Sequence, residues 1–266
     1  MKSIKSYFLS KIDRILHKRL SALCSKSSAN LVFRSTRGVD TIVHPQKLLD
    51  ILRTNQSCDA EPWMEALDKE LGDLEVVIDV GANIGVVSCW LAKRARVVHA
   101  FEPDEKNRYY LQKNKKLNLV ENITAYPFAV GDSDGFINFY YRESFGHHGT
   151  TLKHVSSVVK ALEVPSVTLD KFCSDKMIEI ISLLKIDTEG SEINVLMGFD
   201  RYITAHKVAM ILFEHAPVLF ERHDQAAEVY DFLSERNYQI FDLNHTLVDR
   251  ETIINARQGD FYAKPF

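Results

Sequence analysis

An apolar run, Val76-Val77-Ile78, leads into Asp79-Val80-Gly81 and then Ala82-Asn83-Ile84-Gly85. An apolar run closed by an acid and a glycine-bearing turn predicts a strand buried on both faces, as in a parallel sheet sandwiched between helices. Val86 to Lys93 follows as a helix. Gly81 and Gly85 suit a turn whose backbone takes unusual angles and approaches a ligand closely, so a ligand is expected at that helix's N-terminus.

The alternation continues. Val97 to Phe101 predicts a second strand, ending in Glu102, and Pro103-Asp104 opens a long helix packed through Tyr109, Tyr110, Leu111, Leu117 and Leu119. Ile123 to Tyr126 is a third strand, followed by Phe128-Ala129-Val130-Gly131-Asp132. Gly135 to Tyr141 alternates like an exposed edge strand. The glycine-bounded loop Gly146-His147-His148-Gly149 is placed to close over a substrate, with at most one of its adjacent histidines facing the pocket. Val164 to Leu169 predicts a strand ending in Asp170, and Ser182 to Ile186 another ending in Asp187-Thr188-Glu189-Gly190. A helix through Ile193, Val195, Leu196 and Met197, a strand from Val208 to Phe213 ending in Glu214-His215, a helix from Asp224 to Arg236, and closing strands at Tyr238–Phe241 and Gly259–Ala263 complete the pattern. Upstream, Leu31–Arg34 and Val39–His44 predict a hairpin turning at Arg37-Gly38, and Gln46–Arg53 and Glu61–Leu71 read as helices.

These elements predict an α/β fold: residues 73–266 as one domain and residues 1–72 as a helical extension and hairpin capping it. The 266 residues are 45% hydrophobic and 26% charged, enough to bury one sizeable core, and a net charge of −3 gives no reason to expect a nucleic-acid partner. Cys24, Cys58, Cys89 and Cys173 are scattered without C-x-x-C spacing, which fits reduced thiols and a cytoplasmic location. Residues 1–26 carry seven Lys/Arg against one acid, with Ile4, Phe8, Ile12, Ile15 and Leu16 at helical spacing. This amphipathic basic helix has neither the apolar length of a membrane span nor the cleavage site of a secretory signal. Packing against the domain or a second subunit is the preferred placement, and peripheral contact with an anionic membrane is the other.

What the central turn binds follows from what it lacks. A dinucleotide fingerprint requires glycines where this chain has Asn83 and Val86. A carboxylate at Asp79 repels a pyrophosphate and favours an ammonium or sulfonium, and S-adenosylmethionine carries both cations. Glu102, twenty-one positions after Gly81, is spaced to accept two ribose hydroxyls. Asp79, Gly81, Ala82, Asn83, Gly85 and Glu102 therefore form the expected cofactor-binding set, with Ala129 against the base. Asp79 as a helix cap and Ala129 as core packing are the structural alternatives. Asp187 and Glu189, at the end of another strand, are the expected catalytic groups with His147; His148 and His215 are secondary. Asp79-Val-Gly-Ala-Asn-Ile-Gly85, Phe101-Glu-Pro103, the Asn114 to Asn118 segment, Ala129-Val-Gly131, Thr168-Leu-Asp170 and Lys185-Ile-Asp-Thr-Glu-Gly-Ser-Glu192 resemble the FkbM family of S-adenosylmethionine-dependent methyltransferases.

That resemblance implies a class I methyltransferase (Rossmann-like): a seven-stranded, mostly parallel sheet with one antiparallel strand near the end. It also implies O-methylation of a hydroxyl on a sugar, a glycolipid or polysaccharide, or a natural product. Thr188 and Ser191 stand where the family often has an apolar residue and Ala. Methyl transfer to oxygen is an in-line displacement that destroys a positive charge, so alignment and water exclusion matter most. A poor hydroxyl nucleophile calls for a base or a bound divalent cation. Asp187 with Glu214-His215 resembles the carboxylates of catechol-type O-methyltransferases, which admits Mg²⁺ as a second cofactor; the alternative is that Asp187 caps the helix after Gly190 and Glu214 pairs with a base such as Lys185 or Arg222. Rival functions are N-methylation of an amino sugar and a non-catalytic S-adenosylmethionine-binding scaffold. A hydrolase is disfavoured because no G-x-S-x-G elbow appears.

Overall fold

The computed structural model describes residues 31–34, 38–43, 62–68, 70–142, 148–149, 158–216, 227–256 and 258–266. The basic N-terminal segment, the helix expected over residues 46–53, and Glu61, His147 and Arg222 lie outside them. No helix among the described residues is long and apolar enough to cross a membrane.

The hairpin β1 (Leu31–Arg34) and β2 (Asp40–Val43) precedes helix α1 (Pro62–Ala66). Then β3 (Leu74–Val80), α2 (Val86–Ala92), β4 (Ala95–Phe101), α3 (Glu105–Leu117) and β5 (Ile123–Tyr126) follow as consecutive β and α units. Four strands are inserted next: β6 (Ala129–Val130), β7 (Gly135–Arg142), β8 (His148–Gly149) and β9 (Val158–Val167). The chain finishes with α4 (Leu169–Asp175), β10 (Leu183–Ile186), α5 (Glu192–Met197), α6 (Asp200–Thr204), β11 (Ile211–His215), α7 (Glu228–Glu235), β12 (Tyr238–Phe241), α8 (Arg250–Asn255) and β13 (Gly259–Pro265).

Seven strands form the main sheet in the order β12-β13-β11-β10-β3-β4-β5. The sheet is parallel except at β13, which runs antiparallel to β11 and β12. Its inner strands β3, β10 and β11 are buried on both faces over most of their length, which is why they read as apolar runs. Ile78, Val80, Leu184, Ile186, Ile211 and Phe213 pack on one face with residues of α4 to α8. Val77, Val98, Ala100, Leu183 and Leu212 pack on the other, against Trp63, Met64 and Leu67 of α1 and its following turn, Trp90 and Leu91 of α2, and Leu111 of α3. The order of strands reverses between β3 and β10, because the chain moves outward from β3 through β4 and β5 and then returns on β3's other side. Ligands of open α/β sheets collect outside the carboxyl ends of the strands at such a reversal.

Several elements differ from the sequence pattern. The strand from Gly135 is not an edge: β7 lies between β9 and β8 in a four-stranded sheet, and its inward Phe139 packs on Ala129 and Val164. The strand expected through Leu169 stops at Val167, because the Thr168 side chain accepts the Lys171 N–H at 3.3 Å and caps a helix that already includes Leu169 and Asp170. The strand from Val208 starts late, Val208 making a single bridge to Ile181 before Ile211–His215. The helix expected over 61–71 shortens to Pro62–Ala66. Helix α8 is unannounced by hydrophobic spacing, and Asp249 caps it by accepting the Thr252 N–H at 2.8 Å.

Candidate functional site

The turn after β3 is fixed by its own backbone. Gly81 has φ 76°, and a Cβ there would stand 1.8 Å from the Asp187 carbonyl oxygen, so only glycine lets the ends of β3 and β10 come together. Gly85 has φ 82°, and its Cβ would meet the Leu111 side chain at 2.6 Å. The N–H groups of Gly81 and Ala82 both donate to the Phe101 carbonyl at 3.0 Å, which ties the turn to the end of β4. Asn83 N–H donates to Glu102 Oε2 at 2.8 Å, and Asp104 N–H to Glu102 Oε1 at 2.8 Å. Glu102 is buried, and loss of hydration raises its carboxyl to about 7 against those stabilising N–H bonds. Asp104 then caps α3 by accepting the Asn107 N–H at 2.7 Å. Tyr141 of β7 bonds the Asp104 side chain, which brings the inserted sheet over this corner.

A row of charge crosses the sheet beside the turn. Asp79 and Lys185 are partners in the parallel pairing of β3 with β10. Lys185 Nζ sits 3.2 Å from Asp79 Oδ1, 3.3 Å from Asp187 Oδ2 and 3.2 Å from the Gly81 carbonyl oxygen. Ser88 Oγ donates to Asp79 Oδ2 at 2.5 Å. Asp79 is 0% exposed and does not line the cavity described below. The expectation that its carboxylate meets a ligand's cation directly is therefore corrected. β3 continues through Val80, so Asp79 lies inside the ladder and its charge is spent on Lys185. Lys185, offered above as a partner for Glu214, faces Asp79 and Asp187 instead.

After Ile186 the chain makes a tight loop in which Glu189 has φ 58° and Gly190 φ 98°. One oxygen of Glu192 holds that loop, accepting from Thr188 N at 3.1 Å, Thr188 Oγ1 at 3.0 Å and Gly190 N at 3.1 Å. Asp187, Thr188, Glu189 and Ser191 form one wall of a cavity whose floor is Val80, Gly81 and Asn83 and whose facing wall is Phe101, Glu102, Pro103 and Asn107. Phe128, Ala129, Val130 and Phe139 supply an apolar side. Of the residues singled out by sequence, Gly81, Asn83, Glu102, Ala129, Asp187 and Glu189 meet in this cavity; Ala82 and Gly85 shape the turn beneath it. The sequence assigns Glu192 no role, and it offers Lys185 only as a partner for Glu214. The signal for Glu192 is an acid two residues past Gly190 at the start of a helix, and that for Lys185 is a lysine inside an apolar strand.

Of His147, His148 and His215, only the side chain of His215 is among the described residues. It is buried, where lost hydration keeps its pKa below the ordinary value against the opposing hydrogen bonds with the backbone of Ile253 and Ala256. Glu214 does approach the acids. Its partner in the antiparallel pairing of β11 with β13 is Asp260. Burial, then the charges of Asp187 and Glu189, push Glu214 up to about 9, and burial with Asp187 pushes Asp260 up to about 6. Gln258 Nε2 donates to Glu214 at 3.0 Å. Among the described residues no group of three or more His, Cys, Asp or Glu side chains is arranged to hold a metal ion. The expected Mg²⁺ thus finds no donor set among the described residues.

Residues 79–240 match the model of the Methyltransferase FkbM domain, well over half of the chain. The chain is 25% identical over 218 residues to hexuronic acid methyltransferase AglP of Haloferax volcanii, covering 81% of this chain and 84% of that protein. It is 27% identical over 148 residues to methyltransferase 1 of Beauveria bassiana, covering 48% of this chain and 59% of that one. Among solved structures, an FkbM methyltransferase from Methylobacillus flagellatus aligns with a TM-score of 0.48 at 20% identity, covering 92% of this chain and 57% of that chain. The chain therefore spans under two thirds of the length of two of these three proteins.

Removing Lys185 strands Asp79 in the interior. Lys185→Met is expected to lower stability by about 3 kcal/mol in urea unfolding, and Asp79→Asn in the same chain to recover more than half of that. Glu214 behaves in the opposite sense. A carboxyl raised in the folded state contributes stability that is fully present below the unfolded value near 4.5 and is lost as pH rises toward about 9. Glu214→Gln should therefore match the native chain's melting temperature at pH 4.5 and exceed it at pH 8 in thermal scans.

Proposed function

Because the chain belongs to the FkbM methyltransferase family, we propose that it transfers the methyl group of S-adenosylmethionine to a hydroxyl of a sugar, a glycolipid or polysaccharide, or a natural product. One observation carries this reading: a single cavity at the strand-order reversal has Glu102 on one wall and Asp187 with Glu189 on the opposite wall. Glu102 accepts one backbone N–H on each oxygen and a side-chain bond from Asn107, so of about four acceptor sites it keeps one for a ribose hydroxyl and gains the second where Asn107, which lines the same cavity, turns to the ligand. Phe128, Ala129, Val130 and Phe139 offer flat apolar surface for the adenine ring. The ammonium and sulfonium end then points toward Asp187 and Glu189. Asp79 acts one step away, holding Lys185, which in turn holds Asp187 and the Gly81 carbonyl.

In this arrangement the protein aligns the methyl donor with an acceptor oxygen entering beside Glu189. Transfer cancels the sulfonium charge, so a water-poor pocket favours the transition state over the charged ground state. Glu189 takes the hydroxyl proton as the methyl–oxygen bond forms and the sulfur–methyl bond breaks, leaving S-adenosylhomocysteine and the protonated carboxyl. AglP is named for hexuronic acid. In this chain the acids at 187 and 189 disfavour an anionic acceptor group at the same spot, and the reading is a neutral hydroxyl. The same acids give an amine acceptor its specific support, as the second reading, since they attract an ammonium before it loses its proton.

S-adenosylhomocysteine titrated calorimetrically is expected to bind the native protein, and Glu102→Ala to weaken it about tenfold or more. Glu189→Gln should keep that affinity and cut turnover on a glycan acceptor about a hundredfold, followed by mass spectrometry. Methylated nitrogen in the product would select the amine reading. Full turnover in Glu189→Gln would remove it as the base, and no binding by the native chain would end the cofactor assignment.

A further inference from the structure

We infer that Asn114 is a positioning residue for the donor: it couples the N-terminal hairpin to the turn that forms the cavity floor, so that the hairpin backbone sets the turn's geometry. The inference rests on the reading above that the turn binds S-adenosylmethionine. Asn114 lies on α3, is 0% exposed, and does not line the cavity. Its Oδ1 accepts the Ile42 N–H at 2.5 Å, while its Nδ2 donates to the Ile84 carbonyl at 2.8 Å and to the Ile42 carbonyl at 3.3 Å. Only one orientation of the amide satisfies these contacts. Flipping it would set an N–H against an N–H and an oxygen against two carbonyls. The hairpin therefore dictates which way Asn114 points, and Asn114 dictates where Ile84 sits, within Ala82-Asn83-Ile84-Gly85.

One helical turn later Asn118 does the same for Asp40, accepting its N–H at 2.8 Å and donating to its carbonyl at 2.6 Å. Two asparagines spaced by four on one helix face thus pair with alternate residues of β2, as an adjoining strand would, leaving β1 as its other partner. The difference between them matters. Asn118 reaches β2 and the Asn114 carbonyl, whereas Asn114 alone continues to the turn. A second contact runs in parallel: Ile42 packs against the cluster of Ile84 and Tyr110, so side chain and backbone of one hairpin residue both bear on the turn. A shift of Ile84 moves Asn83, whose N–H holds Glu102. Binding that firms the turn must then firm β2, because coupling is reciprocal.

The test compares two single variants by S-adenosylhomocysteine calorimetry and thermal unfolding. Both Asn114→Ala and Asn118→Ala lose contacts to β2 and are expected to melt earlier. Only Asn114→Ala should bind the nucleoside about tenfold more weakly, with Asn118→Ala within twofold of native. Should Asn114→Ala fail to fold, hydrogen exchange on the native chain decides. Saturating S-adenosylhomocysteine is expected to slow exchange of the Ile42 amide several-fold. Affinities that are native in both variants, or reduced equally in both, would overturn the inference, as would an Ile42 amide unmoved by ligand. A native chain that binds no nucleoside would instead overturn the cofactor reading on which the inference rests.

Discussion

Everything at this site depends on how closely β3 and β10 can end. Two neighbouring parallel strands bring Asp79 and Lys185 into register, and one buried lysine then answers two carboxylates and a turn carbonyl. Burying a charge is costly unless it is paired and further hydrogen-bonded, and here each partner is. Asp79 also accepts from Ser88, and Lys185 also donates to Gly81. The contact of Gly81 on the Asp187 carbonyl leaves no space for a side chain, so a single glycine and a single ion pair together fix the seam from which the cavity opens.

From that seam the pocket walls follow by local means. Glu102 is held by N–H groups on either side of it in space, one from the first turn and one from its own loop, and so is placed without help from a distant element. The facing wall is built by Glu192, which gathers Thr188 and Gly190 and leaves Asp187 and Glu189 at the rim. The carboxyls farther out, Glu214 and Asp260, lie where burial and the charge of Asp187 raise them toward the protonated form, which moderates the negative field an acceptor would meet. The inserted sheet closes the apolar side through Phe139 and reaches Asp104 through Tyr141.

Much of this is legible in the chain itself. β3, β4 and β10 are largely apolar because both faces are covered, and the acids and glycines that follow them lie at the ends where ligands gather. Gly81, Asn83, Glu102, Asp187 and Glu189 could be named from spacing alone. Register could not. That Asp79 meets Lys185 rather than a ligand depends on β3 running one residue past the acid and on which strand becomes its neighbour. Thr168 is ambiguous for a similar reason, since a threonine before an apolar pair continues a strand as readily as it caps a helix until its side chain finds the Lys171 N–H. Asn114 and Asn118 look like surface polar residues of a long helix, and only the arrival of β2 gives them their partners.

The central claim is that a sulfonium nucleoside lies across this seam, ribose on Glu102 and amino-acid tail toward Asp187. A crystal structure of the protein grown with S-adenosylhomocysteine tests it most directly. The account predicts both ribose hydroxyls within hydrogen-bond distance of Glu102, adenine between Ala129 and Phe139, and Lys185 still bridging Asp79 and Asp187. Nucleoside density elsewhere, or a ribose turned away from Glu102, would contradict it.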